Sequence, residues 1–207
     1  MKVLDPSKLN LTSAILDHKV KSLYVASPHK GAGTTTCAYS LAKALSSLIS
    51  ENVIIIDGNP GENSLTEKNN LVGKMGFSDL NIPGYRESPQ KAIHTIKGEL
   101  FHIIPAGVTP PSNPMGGERG ELMRLIETLT ENYSYVIYDG PPIHRYNEPL
   151  ALAAAFDGVI LVLKNNETRI EVANSAKAKL TQAGANVIGA IFNRRRYYVP
   201  QWVYDLL

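Results

Sequence analysis

Six short apolar runs alternate with amphipathic stretches along this chain, and that alternation limits the folds open to it. The runs are Leu23 to Ala26, Val53 to Ile56, Phe101 to Ile104, Tyr135 to Tyr138, Val159 to Val162 and Val187 to Ile191. They are rich in Val, Ile and Tyr and bounded by Gly, Pro, Asp or Asn, the pattern of short strands. Polar positions do not interrupt them, as expected of strands covered on both faces of a parallel sheet. Thr35 to Ile49 places Ala38, Leu41, Ala42, Leu45 and Leu48 at helical spacing, and Glu118 to Leu129 does so with Leu122, Leu125, Ile126 and Leu129. Glu171 to Ala183 carries Val172, Ala176 and Leu180 and runs into Gly184, a common helix stop. The expected fold is α/β: an open, mostly parallel twisted sheet with helices on both faces, in three layers joined by right-handed crossovers.

The 207 residues suit one domain over 1–207, with an N-terminal extension at 1–20 and an arginine and aromatic segment at 194–207. Hydrophobic residues at 43% and charged residues at 19% supply a core and exclude a disordered chain. Cys37 is the one cysteine, which excludes an internal disulfide and a site of paired thiolates and suits a reducing compartment. A net charge of +2 gives no bulk attraction to nucleic acid. No apolar run approaches the roughly 18–20 residues of a membrane span, and Met1 to Asn10 has no apolar leader core. A cytoplasmic protein without a span is expected. Gly58 to Gly84 and Pro105 to Gly117 are expected to be long loops, the first the most mobile part. None of His18, His29, His94, His102 and His144 stands at metal-ligand spacing from another, so each reads as structural, and Cys37 reads as buried filler.

In such a sheet, ligands bind beyond the carboxyl ends of the strands. The first strand leads into Ser27-Pro28-His29-Lys30-Gly31-Ala32-Gly33-Thr34-Thr35-Thr36 and then a helix. A glycine-rich turn at a helix N-terminus offers backbone N–H groups and a positive dipole end to an anion. A phosphate-gripping loop would add a lysine and then Ser or Thr after its last glycine. Thr35 supplies the hydroxyl, but Thr34 stands at the lysine position. A dinucleotide-type turn is the rival reading of Gly31-Ala32-Gly33 with Asp57 further on; against it, Ser27 to Lys30 separate strand from glycine and the third glycine is missing. The bland reading is a capping turn.

Val53-Ile54-Ile55-Ile56-Asp57 and Tyr135-Val136-Ile137-Tyr138-Asp139 each end a strand with a carboxylate. Either alone is a common turn residue. Together with the glycine loop they form a cluster at one sheet edge, suited to magnesium held through water or to orienting an attacking hydroxyl.

The combination of Lys30-Gly31-Ala32-Gly33-Thr34-Thr35-Thr36, Ile56-Asp57-Gly58-Asn59 and Tyr135 to Pro142 resembles the bacterial tyrosine-kinase (BY-kinase) branch of the MinD/ParA-like P-loop ATPases. Gly76-Phe77-Ser78-Asp79-Leu80, Ile104 to Gly107 with Pro110, Pro111 and Pro114, Ala155 to Val162, and Gly189 to Arg194 are similar to further family segments, so the resemblance spans about residues 20 to 207. It implies a P-loop NTPase-like fold, ATP or ADP with Mg2+ as ligands, and a cytoplasmic partner of a membrane polysaccharide co-polymerase in capsule or exopolysaccharide export, recruited to the inner face of the membrane. A homodimer or ring across the nucleotide face is also implied. Position by position, the backbone from Gly31 to Thr35 would cradle phosphates, Thr35 would bind magnesium, and Asp139 would take the magnesium-water position. Asp57 would be the catalytic acid, itself near the metal, and Asn193 would lie near the base.

The pattern departs from the family at Thr34, at Asn59 in place of a second acid, in the Leu9 to Lys21 region, which lacks the ring-assembly segment, and in a tyrosine tail reduced to Tyr197, Tyr198 and Tyr204. The resulting expectation is a family member with weakened or lost nucleotide binding, no autokinase activity and a regulatory or scaffolding role. The competing expectation is a working ATPase in which Lys30, at the mouth of the loop, or a partner's basic residue replaces the lysine; Lys30 otherwise reads as a solvated loop residue. The C-terminal Arg194, Arg195, Arg196, Tyr197, Tyr198, Trp202 and Tyr204 read either as a packed short helix or as a docking segment.

Overall fold

The computed structural model describes residues 20–48, 52–80, 88–109, 119–144 and 148–194. Residues 1–19 of the extension, 195–207 of the C-terminal segment and the prolines Pro110, Pro111 and Pro114 lie outside those residues. The strands are β1 (Ser22–Ala26), β2 (Val53–Asp57), β3 (His94–Thr95), β4 (His102–Ile104), β5 (Tyr135–Asp139), β6 (Gly158–Lys164) and β7 (Val187–Asn193). The helices are α1 (Thr34–Leu48), α2 (Leu65–Lys68), α3 (Phe77–Leu80), α4 (Arg119–Asn132), α5 (Glu148–Ala153) and α6 (Ile170–Gln182), with a 3-10 turn at Pro89–Ala92.

One seven-stranded sheet runs in the order β3-β4-β2-β5-β1-β6-β7, and every pairing is parallel except β3 with β4. All residues of β1, β2 and β5 are buried, which explains their unbroken apolar sequences. Strand alternation divides the core in two. Tyr24, Ile54, Ile56, Val136 and Tyr138 face one side with Leu122, Ile126 and Leu129 of α4 and Ala173, Ala176 and Leu180 of α6. Leu23, Val25, Ile55 and Ile137 face the other with Ala38, Leu41 and Leu45 of α1.

Three findings depart from the sequence expectation. The segment after β2 is not a plain loop: it carries α2 and α3, too short to show a helical repeat. The two-residue β3 adds an antiparallel edge that no apolar run announces. At the opposite edge β7 is not covered throughout: Ala190 and Phe192 are exposed while Ile191 and Asn193 are buried. An edge strand has a neighbour on one side only, so one of its faces can meet solvent.

Candidate functional site

The carboxyl ends of β1, β2 and β5 converge. Asp57 and Asp139 are register partners in the β2–β5 pair, and Val25 is opposite Asp139 in the β1–β5 pair. Two backbone bonds continue the convergence past the strands: Gly58 N–H donates to the Asp139 carbonyl at 3.1 Å, and Gly140 N–H to the Val25 carbonyl at 2.9 Å. The sheet thus brings the two aspartates and the turn after β1 to one edge.

That turn meets α1, which begins at Thr34. Gly31 and Gly33 hold φ of 86° and 89°, the left-handed region that glycine enters freely. At Gly33 a Cβ would lie 2.1 Å from Asn193 Nδ2, so the position excludes a side chain for steric reasons too. Asn193, at the end of β7, donates from Nδ2 to the Ala32 carbonyl at 2.8 Å and accepts from Arg194 N–H at 2.8 Å. Its side chain therefore grips the glycine loop from behind. The loop is also stitched to the turn after β6. His29 Nε2 lies 2.9 Å from Thr168 Oγ1, which accepts from Lys164 N–H at 2.9 Å, and His29 Nδ1 lies 3.2 Å from the Lys30 carbonyl. Ser27 Oγ donates to the His29 carbonyl at 3.1 Å.

The two aspartates have opposite surroundings. Both are fully buried. Asp57 Oδ2 accepts from Thr66 N–H at 2.7 Å and Thr66 Oγ1 at 2.6 Å, and Oδ1 accepts from Asn59 N–H at 3.2 Å. Its carboxylate anchors α2. Neither carboxylate oxygen of Asp139 has a hydrogen-bond partner. Burial pushes its pKa well above the ordinary carboxylate value; the Asp57 charge adds to this, while the Thr35 side chain and the Lys68 charge oppose it. A buried, unpartnered acid beside a hydroxyl at a helix start is a donor set that fits a hard divalent cation, with Thr35 and Asp139 as the residues to hold it. Asp57 is not free in the same way.

The glycine turn and Thr35 border a cleft of about 710 Å3. It is lined by the turn from Ser27 through Gly31 and Gly33 to Thr36, by Asn59 to Ser64 with Lys68, and by Pro141, Pro142 and His144. Thr34, where a phosphate lysine would stand, is 5% exposed and borders the same cleft. Lys30 is exposed at the rim. Of the residues singled out in sequence, Lys30, Gly31, Gly33, Thr34, Thr35 and Thr36 line the cleft; Ala32 is buried in the turn behind it, with Asn193 on its carbonyl. Asp57 and Asp139 lie beneath. Sequence reasoning missed Thr66, Thr168 and Lys68, polar residues in loops or short helices that no local motif marks. Cys37 is buried in α1, its thiol pushed up to about 12 by burial, then by the Asp139 charge. Among the described residues, no group of three or more His, Cys, Asp or Glu side chains could hold a metal, and no helix is long and apolar enough to cross a membrane.

A parallel sheet whose first strand delivers a glycine loop to a helix N-terminus, with acids ending two neighbouring strands, defines a P-loop NTPase-like fold of the MinD type. MinD from Pyrococcus horikoshii, solved in complex with Mg-ADP, matches with a TM-score of 0.68 and 18% identity over 89% of this chain and 76% of its own. The crystal structure of the VpsO kinase domain matches at 0.77 and 26% identity over 92% of this chain and 94% of its own. In sequence, tyrosine-protein kinase YwqD of Bacillus subtilis is 25% identical over 190 residues, 91% of this chain and 78% of its own. No protein-family model matches the chain. The chain is a divergent relative of the bacterial tyrosine kinases.

Proposed function

We propose that this protein is a cytoplasmic, BY-kinase-like P-loop subunit of capsule or exopolysaccharide biosynthesis that acts as a regulator or scaffold. On this reading it is a pseudokinase: it binds ATP or ADP with Mg2+ weakly, hydrolyses little or none, and does not phosphorylate a tyrosine tail. Its partner is a membrane polysaccharide co-polymerase of the chain-length-determinant type, which recruits it to the inner face of the cytoplasmic membrane, and a homodimer across the nucleotide face is the assembly to look for. The observation that carries the reading is the buried Thr34 at the first residue of α1, in a loop that otherwise keeps its glycines, its Thr35 hydroxyl and Asp139 behind it. Bound magnesium would neutralise charge on phosphate oxygens; Thr35 and Asp139 would hold it, and the backbone N–H groups of the loop would receive the phosphates.

The magnitudes set the expected activity. A hydrogen bond to a charged group contributes about 1.5–3 kcal/mol, so without a lysine at position 34 polyphosphate affinity falls roughly ten- to a hundredfold. Loss of one preorganised donor to the transition state costs on the order of a hundred- to a thousandfold in rate. Asp57 offers little compensation as a base, because Thr66 and Asn59 already use its oxygens. The test incubates the full chain with ATP and Mg2+, following phosphate release and, by mass spectrometry, tyrosine phosphorylation. Background release and unmodified tyrosines are expected. Steady release that Asp139→Asn abolishes would overturn the reading in favour of a working ATPase.

A further inference from the structure

The cleft holds a second basic side chain that the sequence motifs do not touch. Lys68 is the last residue of α2, is exposed, and borders the cavity shared by Thr34, Thr35 and the glycine turn. Its ammonium forms no hydrogen bond or ion pair among the described residues. The helix that carries Lys68 is anchored. Asp57, buried at the end of β2, takes Thr66 N–H and Oγ1 on one oxygen. Thr66 Oγ1 in turn accepts from Ala106 N–H at 2.8 Å, and Ser64 caps the helix by accepting from Glu67 N–H at 3.2 Å. The short helix is therefore fixed to the sheet edge at its first turn, with Lys68 leaving its last residue towards the cleft.

We infer that Lys68 supplies the cation that Thr34 no longer provides, and contacts the terminal phosphates of a nucleoside di- or triphosphate seated on the Gly31–Thr35 turn. Two observations besides the shared cavity support it. The unpartnered, fully buried Asp139 lies at the same edge, and the Lys68 charge acts on that carboxylate, whereas the Lys30 charge has no comparable effect. Thr34 has a short, uncharged side chain, and it borders the same cleft as Lys68, so a cation at the turn has to come from a neighbouring element. In this arrangement the Asp57 carboxylate positions the cation through Thr66 and does not itself meet the ligand. The inference rests on the reading of the cleft as a weakened nucleotide site, and it adds the residue that brings a cation to the terminal phosphates.

The experiment is calorimetric titration of the full chain with ADP and Mg2+, with AMP as a second probe. Lys68→Ala should weaken ADP binding about tenfold or more, leave AMP binding within about twofold, and be rescued by Lys68→Arg. Lys30→Ala should have little effect on either probe. Restoring the lysine with Thr34→Lys should tighten ADP binding and make Lys68→Ala nearly silent in that background, because one cation then does the work of the other. Unchanged ADP affinity in Lys68→Ala, equal losses for AMP and ADP, or a wild-type chain that binds no ADP at millimolar concentration would each overturn the inference. Those results are separable from failure of the regulatory reading, which is decided by turnover of ATP and not by affinity for ADP.

Discussion

Asp57 and Asp139 face each other as register partners at the ends of β2 and β5, both fully buried, yet one carboxylate is fully engaged and the other has no partner. The contrast separates an acid consumed by local structure from one left without a partner.

Replacing the unpartnered acid should stabilise the fold. An unsatisfied buried polar group costs roughly 1–3 kcal/mol, more when charged. The folded-state pKa of Asp139 is raised, so the native protein holds its proton more tightly than the unfolded chain does. Stability therefore falls as pH climbs from the ordinary carboxylate range towards that raised value. In magnesium-free buffer, Asp139→Asn should raise the melting temperature at pH 7 by several degrees, at roughly 2–4 °C per kcal/mol for a chain of this size. The gain should shrink towards pH 4. Differential scanning fluorimetry across pH reads both; a lower melting point at pH 7 would contradict the account.

A second buried acid, away from the cleft, has the opposite sign. Asp79 is buried, and its carboxylate accepts from Gly76 N–H at 2.8 Å, Val108 N–H at 3.1 Å, Thr109 N–H at 2.9 Å and the Thr109 hydroxyl, tying α3 to the loop after β4. Burial alone would raise its pKa, but the hydrogen bonds from Thr109, Gly76 and Val108 together lower it. Its stabilisation is present above the unfolded-state value near 3.9 and is lost as pH falls through the depressed native value. Asp79→Asn should cost about 2 kcal/mol at pH 7 in urea unfolding, and the difference from wild type should close in acid.

The grip of Asn193 on the glycine loop predicts a coupled pair. Asn193→Ala removes the buried bond to the Ala32 carbonyl and should cost about 1–2 kcal/mol. Gly33→Ala meets both a φ of 89° and the Asn193 amide at 2.1 Å, so its cost should be larger than that of Gly31→Ala, whose Cβ meets nothing within 4 Å. With Asn193→Ala already present, Gly33→Ala should become milder by more than about 0.5 kcal/mol. Additive effects in that double-mutant cycle would show that the two do not touch.

Buried aromatic rings pack against the glycines that follow the two acids. The Tyr24 and Tyr138 rings stack with centroids 5.1 Å apart, and a Cβ at Gly140 would fall 2.4 Å from the Tyr24 ring. The Tyr24 hydroxyl has no partner. Tyr24→Phe should thus leave stability unchanged or raise it by up to about 1 kcal/mol. Gly140→Ala should lose about 1–3 kcal/mol by overpacking against the ring. Thermal melts should show Gly140→Ala falling below wild type and Tyr24→Phe not doing so.

Much of the fold is legible in sequence because its strands are buried on both faces. Continuous apolar runs such as Val53 to Ile56 and Tyr135 to Tyr138 have few other uses, and α1, α4 and α6 are long enough to show their period. Elements of two to four residues, β3, α2 and α3, leave no such trace. The two short helices are held by single polar residues, Asp57 and Asp79, whose partners lie elsewhere in the chain, and β3 is held by its pairing with β4. The glycine turn and both strand-end acids were readable as candidates, since the acids close apolar runs and the turn follows one within a few residues. Which acid would be consumed by structure was not, because Thr66 has nothing in its local sequence to mark it as a partner of Asp57.

The sequence by itself determined the layered sheet, the edge at which ligands would gather and the absence of a lysine from position 34. Local pattern suffices for these, since strand period and turn chemistry are properties of neighbouring residues. Only the tertiary structure decided that Asp57 is occupied and Asp139 is not, that Asn193 braces the loop, and that Lys68 shares a cavity with Thr34. Those relationships join residues far apart along the chain, and hydrogen bonding and burial are settled by which groups the folded sheet brings within about 3 Å of one another.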